Sequence, residues 1–418
     1  MSKFHQDAEA QAALHTDTEY LLPVYARYPV VMERGVGVYL YDSSGHRYLD
    51  LMAGMGVNAL GHAHPRMVAT MCEQAGSLIH LSPQYVTRYA GELAERLCDV
   101  AGMTGAFFST GGAEAVEGAL KLARAHALEN FSGSKPRVVA LLAGYHGRTY
   151  GSQSVTGQEK YRAGFEPGIP GVDFVPREDM DALRAAVTDE TCAIIMEPVL
   201  GEGGVYPLSA EYLREARRLA DTHRALLIFD EIQCGLGRTG AWFAFERANV
   251  RPDVLLLGKP LGGGLPLSAM LVTADLFHTI KLGGHASTLG GSPLACRLGL
   301  EFLRVVEQES LLEQVTDTGN YLRQHLDRLA SSVSIAKEAR GVGLLQALEL
   351  TMPGRPLAES ALEQGLMLNV TQGNILRFLP PFLLTRAHVD TAMAVIEPLL
   401  AEAERAAEPV LTAHGRTA

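Results

Sequence analysis

The sequence predicts an α/β protein with a large domain, built on a mostly parallel central sheet flanked by helices, and a smaller domain. Short apolar runs that end in charges or glycine turns alternate with amphipathic segments of helical period, which is typical of this class. The length of 418 residues also exceeds what one simple core usually supports. We therefore expect two domains rather than one.

Composition and charge limit the possible partners. The hydrophobic content of 47%, the charged content of 20% and the net charge of -11 indicate a soluble globular protein and argue against a nucleic-acid partner. The polar first residues predict no signal peptide, and no apolar run approaches the ~18 residues of a membrane span. Five cysteines without C-x-x-C spacing predict a cytoplasmic protein with no disulfide framework and no metal site.

The first hundred residues predict a helical or irregular lead-in over residues 1–20, a hairpin over Tyr39–Asp50, and two amphipathic helices between residues 66 and 99. The hairpin turn is an Asp-Ser-Ser-Gly sequence. His62 and His64 lie in the glycine-rich loop before the helices. Because no further ligands are found for a metal, they are interpreted as ordinary loop histidines.

A strand, a glycine turn and a helix follow from Phe107 to Arg124, with Gly112 and Ala113 at the helix start. The free N–H groups and the dipole at such a start attract a phosphate. A simple connection explains the glycines equally well, so both interpretations stay open on this segment.

Two further strands end in polar residues. The strand over residues 138–143 precedes Tyr145 and Arg148, which suit a loop that binds an aromatic ring and a carboxylate, although a surface turn is the alternative. The strand over residues 193–196 ends at Glu197, and a helix is predicted over residues 210–222. This alternation supports the α/β class.

Two apolar runs that each end in a charge form the centre of the prediction. Leu226–Phe229 is closed by Asp230, and Val254–Gly258 is closed by Lys259. Open α/β sheets hold ligands at the carboxyl ends of their strands, so we expect the acid and the lysine to face one pocket.

The last third predicts a strand at 268–273, a long helix over 293–329 that is bent or broken near Glu307, strands at 341–350, 366–369 and 375–379, and a helix over 387–406. From this pattern we expect an N-terminal segment (1–55) that packs with the small domain, a large domain (56–310) and a small C-terminal domain (311–418).

No dinucleotide fingerprint or Walker A pattern is present, whereas pyridoxal 5'-phosphate (PLP) explains the set of strand-end residues. This cofactor needs a lysine for its aldehyde, a carboxylate at its ring nitrogen, a donor near its phenolic oxygen, an apolar or aromatic sandwich and a phosphate cup. The candidates are Lys259, Asp230, Gln233, Tyr145 with Ile232, and Gly112 with Ala113.

Several separate motifs from about Tyr25 to Leu400 closely resemble the class III, or ω-amino-acid, aminotransferases of PLP fold type I. The motifs are Gly112–Ala115, Tyr145–Thr149, Glu197–Pro207, Asp230–Gln233 with Gly235–Gly240, Lys259, Ser287–Thr288 and Arg377–Pro381. Leu200 and Gly111 depart from the usual residues of the family, without removing a group that the chemistry requires.

The resemblance implies a PLP-dependent transaminase of fold type I that is a homodimer with active sites at the interface. Tyr25–Pro29 and Val57–Pro65 resemble the branch that moves the terminal amine of N2-acetyl-L-ornithine to 2-oxoglutarate in arginine biosynthesis. The implied alternatives are ornithine, succinylornithine, succinyldiaminopimelate or 4-aminobutyrate as donor, or a non-catalytic PLP-binding relative. The resemblance assigns substrate binding to Arg148, Arg377, Glu202 and Ser287, and it places Thr288 at the phosphate of the neighbouring subunit.

Overall fold

The computed structural model describes residues 7–131 and 135–413, with side chains described as far as residue 407. Its strands are β1 (Met32–Val36), β2 (Tyr39–Asp42), β3 (Arg47–Asp50), β4 (Gly105–Ser109), β5 (Arg137–Leu141), β6 (Val172–Val175), β7 (Thr191–Met196), β8 (Val199–Leu200), β9 (Tyr206–Pro207), β10 (Leu226–Asp230), β11 (Val254–Leu257), β12 (Ser268–Val272), β13 (Ala336–Val342), β14 (Leu345–Leu350), β15 (Leu366–Met367), β16 (Asn369–Thr371) and β17 (Ile375–Phe378).

Its α-helices are α1 (Ala8–Tyr20), α2 (Ala53–Gly56), α3 (Pro65–Ala75), α4 (Arg88–Ala101), α5 (Gly112–Phe131), α6 (Tyr150–Ser154), α7 (Glu159–Arg162), α8 (Met180–Ala186), α9 (Ala210–His223), α10 (Pro293–Gln308), α11 (Leu311–Ser332), α12 (Arg355–Glu363) and α13 (Arg386–Ala413). Short 3-10 helices cover Ala244–Ala248, Lys259–Gly262 and Ala274–Leu276.

The central sheet has the strand order β4-β12-β11-β10-β7-β5-β6. All neighbours in it are parallel except β12, which runs antiparallel to both β11 and β4. The expected mostly parallel sheet is thus confirmed, and its one reversed strand was not foreseen. Because β12 is reversed, its first residue, Ser268, lies beside Ser109 at the edge where the parallel strands end.

The central strands are apolar on both sides because both sides are covered. Along β10, Leu227 and Phe229 pack in one hydrophobic cluster, whereas Leu226 and Ile228 pack in another on the opposite face. Parallel sheets covered on both faces require such continuous apolar runs. The pattern explains why β10 can present a polar side chain only at its end, at Asp230.

Two smaller sheets come from the chain ends. One has the order β1-β2-β3-β15 and contains the predicted hairpin, and the other has the order β13-β14-β17-β16. The prediction of a single strand over residues 341–350 is wrong, because the chain turns at Gly343, whose φ is 54°, and makes the antiparallel pair β13–β14. The strand predicted over residues 366–369 is also divided, since Leu366 pairs with β3 and Asn369 pairs with β17.

The long helix predicted over residues 293–329 is broken, as expected. Helix α10 ends at Gln308 and α11 begins at Leu311, with Ser310 between them in the left-handed region at φ 51°. The two helices predicted between residues 66 and 99 are confirmed as α3 and α4.

In the part of the chain that the structure describes, no helix is both long and apolar enough to cross a membrane. All five cysteines are free thiols. His62 forms a hydrogen bond with Asp50, with His62 Nε2 2.8 Å from Asp50 Oδ2, and within the same residues no group of His, Cys, Asp and Glu side chains could hold a metal ion.

Candidate active site

A cavity of about 520 Å³ opens at the carboxyl-end edge of the central sheet. This volume lies within the ~300–1,000 Å³ of small-molecule and cofactor sites. Most of the side chains predicted to be functional line it together: Gly112, Ala113, Tyr145, Arg148, Glu202, Asp230, Ile232, Gln233 and Lys259.

Asp230 ends β10 and is held by a histidine that the sequence analysis did not select. His146 Nδ1 lies 2.8 Å from Asp230 Oδ2, and the Ile232 N–H donates to Asp230 Oδ1 at 3.1 Å. Asp230 and His146 are only 3% and 1% exposed. A buried carboxylate that accepts from these two groups is fixed in orientation. His146 could have been identified from the sequence because it lies just after the end of β5, where ligand-binding residues are expected.

Lys259 follows β11 and begins a 3-10 helix with a φ of 41°, in the left-handed region. Non-glycine residues seldom adopt this conformation, and it commonly marks functional sites. Burial lowers the pKa of the Lys259 amine, although the charges of Glu202 and Asp230 oppose the shift. A larger fraction of the amine is therefore unprotonated, and able to accept a proton, than in an ordinary lysine.

The start of α5 offers donors for an anion. Glu114 Oε2 accepts the N–H groups of Thr110 at 2.6 Å and Gly111 at 3.3 Å, so these two donors are occupied. The N–H groups of Gly112 and Ala113 make no hydrogen bond to any described residue. They remain available to a ligand, as a helix start that binds a phosphate requires.

Glu202, Gln233 and Arg377 form one hydrogen-bonded cluster. Arg377, which is 1% exposed, donates through its Nη1 atom to Glu202 Oε1 at 2.7 Å and to Gln233 Oε1 at 3.2 Å. Gln233 Nε2 donates to Glu202 Oε1 at 3.3 Å. Burial would raise the pKa of Glu202, but the charge and hydrogen bond of Arg377 hold it below the ordinary value. Arg377 thus does not line the cavity, and Glu202 compensates its positive charge.

Ser287 and Thr288 are not in this cavity. They line a separate cavity of about 370 Å³ that also contains Thr110, a residue shared with the first cavity. The role predicted for Thr288 involves a second subunit, so its position within one chain leaves that role a prediction.

Glu197 is a buried carboxylate beside Asp230 that the sequence analysis did not select as a site residue. Its two oxygens accept the N–H groups of Tyr145 at 2.8 Å and Gly201 at 3.0 Å. Burial raises the pKa of Glu197 to about 7, against the opposing charge of His146. Near neutral pH this group is therefore close to its titration midpoint.

Glu197 is expected to make the protein less stable as the pH rises. Because the pKa is about 7 in the folded chain and ~4.3 in the unfolded chain, the folded state binds more protons in this window. The free energy of unfolding then falls between about pH 4 and pH 7, by up to about 1.4 kcal/mol per pH unit. Urea denaturation should show a smaller fall for Glu197→Gln than for the wild type. Identical pH dependence in both proteins would contradict the assignment.

This combination of fold and site defines a class of enzyme, the PLP-dependent aminotransferases of fold type I. Comparison with known proteins agrees. Residues 23–400 match the family model for class III aminotransferases. The chain therefore belongs to the class III aminotransferase family, whose members use an amino donor and a keto acid as substrates.

Two similar proteins are both described as acetylornithine aminotransferases. The one from Methanocaldococcus jannaschii is 39% identical over 93% of this chain and 98% of its own length. The one from Gloeobacter violaceus is 42% identical over 92% and 96%.

Solved structures are also similar. Toxoplasma gondii ornithine aminotransferase has a TM-score of 0.91 at 33% identity and covers 96% of this chain and 97% of its own. Elizabethkingia anophelis acetylornithine aminotransferase has a TM-score of 0.84 at 30% identity and covers 94% and 99%.

The residues present fit PLP. The cavity has free N–H groups of Gly112 and Ala113 for a phosphate, a fixed carboxylate at Asp230 for a ring nitrogen, and Lys259 for an aldehyde. A methyl group added at Gly112 would lie 2.8 Å from Ile232 Cδ1, so the Ile232 side chain packs directly under this turn. No ion pair joins Lys259 to Asp230 in the described residues, which leaves both groups for the cofactor.

Proposed function

We propose that this protein transfers the terminal amine of N2-acetyl-L-ornithine to 2-oxoglutarate, which gives N-acetylglutamate 5-semialdehyde and glutamate, a step of arginine biosynthesis. The observation that carries the proposal is that the site contains two arginines in different states, since Arg377 is paired with Glu202 whereas Arg148 forms no ion pair with a carboxylate in the described part of the chain. The names of the similar proteins from Methanocaldococcus jannaschii and Gloeobacter violaceus support the choice of donor.

Different residues of the site have different chemical roles. When bound, PLP supplies an electron sink for the carbon that carries the amine. Lys259 Nζ removes a proton from this carbon and returns one, a role to which its lowered pKa is suited. Asp230 keeps the proton on the ring nitrogen, and His146 holds Asp230 in place.

The remaining site residues bind and orient the cofactor. Gly112 and Ala113 would donate to the phosphate of the bound cofactor, Tyr145 and Ile232 would contact its ring, and Gln233 would donate near its phenolic oxygen. Thr288 donates to the phosphate of the neighbouring subunit, next to Ser287 at the substrate entrance. Their positions around or next to the cavity support these roles.

Two unlike substrates must use one pocket. Arg148 binds the carboxylate that is remote from the reacting carbon in both substrates, because guanidinium pairs with carboxylate in a bidentate manner. Arg377 binds the carboxylate next to the reacting carbon, which only glutamate carries. When the acylated donor is bound, Glu202 neutralises Arg377, since an unpaired buried charge is costly.

Replacing Glu202 with alanine should therefore change the balance between the two half-reactions. Without its partner Arg377 carries an uncompensated charge, so the half-reaction of N2-acetyl-L-ornithine should slow by about tenfold or more relative to that of glutamate. Stopped-flow absorbance measures both rates. Glu349→Ala is the matched control, because it breaks a similar buried pair with Arg340 away from the cavity. If the ratio of the two half-reaction rates is unchanged in Glu202→Ala, the Glu202–Arg377 pair only stabilises the fold.

The experiment that tests the function is a spectral titration followed by turnover assays. The purified yellow protein should lose its cofactor band when N2-acetyl-L-ornithine is added and regain it with 2-oxoglutarate. Ornithine, succinylornithine, succinyldiaminopimelate and 4-aminobutyrate, tested side by side, are the competing donors. A spectrum that stays constant with every amine would indicate a non-catalytic PLP-binding protein.

We also propose a homodimer, a cytoplasmic location and the division into residues 1–55, 56–310 and 311–418. The dimer is supported by Ser287 and Thr288, which lie beside Thr110 at the glycine turn before α5 but outside the main cavity. The break between α10 and α11 supports the second boundary. Sedimentation should give a dimer, and a fully active monomer would refute the shared site.

A further inference from the structure

Arg148 is held by aromatic rings rather than by a carboxylate. Its guanidinium carbon lies 3.9 Å from the ring centroid of Tyr161 and 5.7 Å from that of Tyr145, and the two rings pack edge to face with centroids 5.7 Å apart. No described carboxylate forms an ion pair with it. A guanidinium over a ring face keeps N–H groups in its own plane for a carboxylate ligand. Arg148 is thus fixed in place without losing its capacity to bind an anion.

Tyr161 is itself fixed by hydrogen bonds. Its N–H donates to the carbonyl of Gln158 at 3.0 Å, and its carbonyl accepts from the side chain of Gln153. Gln372 Nε2 connects this turn to the rest of the site, because it donates to Gln158 Oε1 at 2.8 Å and to the carbonyl of Glu202 at 2.5 Å. These hydrogen bonds therefore fix the backbone of Tyr161 relative to the Glu202–Arg377 pair.

The charges at this end of the site favour an anionic ligand. The Lys160 amine lies 4.9 Å from the Tyr161 centroid, so two cations, Lys160 and Arg148, contact one ring. Glu202, whose charge acts on both Lys160 and Tyr161, already pairs with Arg377. Burial raises the pKa of the Tyr161 hydroxyl, which keeps this ring neutral. The two cations on the Tyr161 ring therefore form no ion pair with a described carboxylate.

We propose that Tyr161 is a substrate-positioning residue, which holds Arg148 ready for the carboxylate at the end of the donor remote from the reacting amine. The proposal rests on the proposed function and deepens it. It adds a residue that acts on the substrate only through Arg148.

The test compares Tyr161→Leu, which removes the ring, with Tyr161→Phe, which keeps it. Tyr150→Leu is the matched control, because Tyr150 is an exposed tyrosine nearby whose hydroxyl donates to the carbonyl of Pro167 instead. The cofactor-loaded proteins are assayed with N2-acetyl-L-ornithine and with 1,4-diaminobutane, which has no carboxylate. Calorimetry with glutarate, which cannot react, measures carboxylate binding without turnover.

In Tyr161→Leu the KM for N2-acetyl-L-ornithine and the Kd for glutarate should both rise by about tenfold, the size of one partly desolvated cation–π contact. The kcat for that donor and the kcat/KM for 1,4-diaminobutane should stay within about twofold, because the reacting groups are not touched. Tyr150→Leu should resemble the wild type, and Tyr161→Phe, which loses only the contact of the hydroxyl with Arg148, should show a smaller rise than Tyr161→Leu.

Equal losses with both donors in Tyr161→Leu, or an unchanged Kd for glutarate, would overturn the role of Tyr161. Failure of the wild type to turn over any acylated diamine would instead overturn the proposed function. The glutarate measurement would still decide the role of Tyr161 in that case, and a wild type that binds no glutarate would refute it.

Discussion

Replacing Lys259 with alanine is expected to lower kcat by about 10⁴-fold, the upper range for the loss of a positioned acid–base group. Lys259 is the amine at the carboxyl end of β11 that lines the cavity beside Asp230. Burial lowers its pKa, so a larger fraction of this amine is able to take up a proton than in an exposed lysine. Single-turnover absorbance measurements with N2-acetyl-L-ornithine would measure the loss.

A catalytic role for Lys259 also predicts that an added amine rescues the variant. A small primary amine in the buffer should restore part of the rate in Lys259→Ala, because it can replace the missing proton carrier. Lys281→Ala is the control, since Lys281 is exposed and pairs with Glu129 far from the cavity. Activity of Lys259→Ala within tenfold of the wild type would refute the assignment.

Replacing Asp230 with asparagine is expected to lower kcat by about 10³-fold, a loss typical of removing one preorganised electrostatic group. Asparagine has nearly the same shape, so the 2.8 Å contact with His146 can persist while the negative charge is lost. Without this charge the ring nitrogen of the cofactor no longer retains its proton. The loss should appear in kcat, with a shifted absorbance band of the bound cofactor.

Asp253→Asn is the matched control for Asp230→Asn. Asp253 Oδ2 accepts the N–H of Leu227 at 2.7 Å, near the opposite end of the same strand, and pairs with Arg217. This substitution should lower the free energy of unfolding by about 1 kcal/mol with an unchanged kcat. Equal effects of the two substitutions on kcat would show that Asp230 acts only through folding.

The parts of the site on unbroken apolar runs can be predicted from the sequence. Leu226–Phe229 and Val254–Leu257 are buried on both faces of the sheet. A strand of this kind appears in the sequence as a continuous apolar run, and the first charged residue after the run must lie at the sheet edge. The direction of β12 cannot be predicted in this way. Ser268–Val272 is as apolar as its parallel neighbours, and its reversal depends on how the segment after Lys259 turns back.

Contacts between distant residues also escape prediction from a single sequence. His146 and Asp230 are 84 residues apart, and Arg377 and Glu202 are 175 apart, so no local pattern records that they meet. The turn at Gly343 was missed for a different reason. It is flanked by the apolar residues Val342 and Leu344, so the hairpin resembles one continuous strand.

The reversed strand β12 also affects the order in which contacts can form while the chain is synthesised. The Ser268 hydroxyl donates to the carbonyl of Gly111 at 2.8 Å, although the two residues are 157 positions apart. Synthesis delivers the N-terminal residues first, so the glycine turn that contains Gly111 emerges long before the strand that supports it. A nascent chain that stops before Ser268 already contains Asp230 and Lys259 but not this contact. The turn at Gly111 therefore gains this contact only after β12 has been synthesised, so its final geometry depends on a later part of the chain.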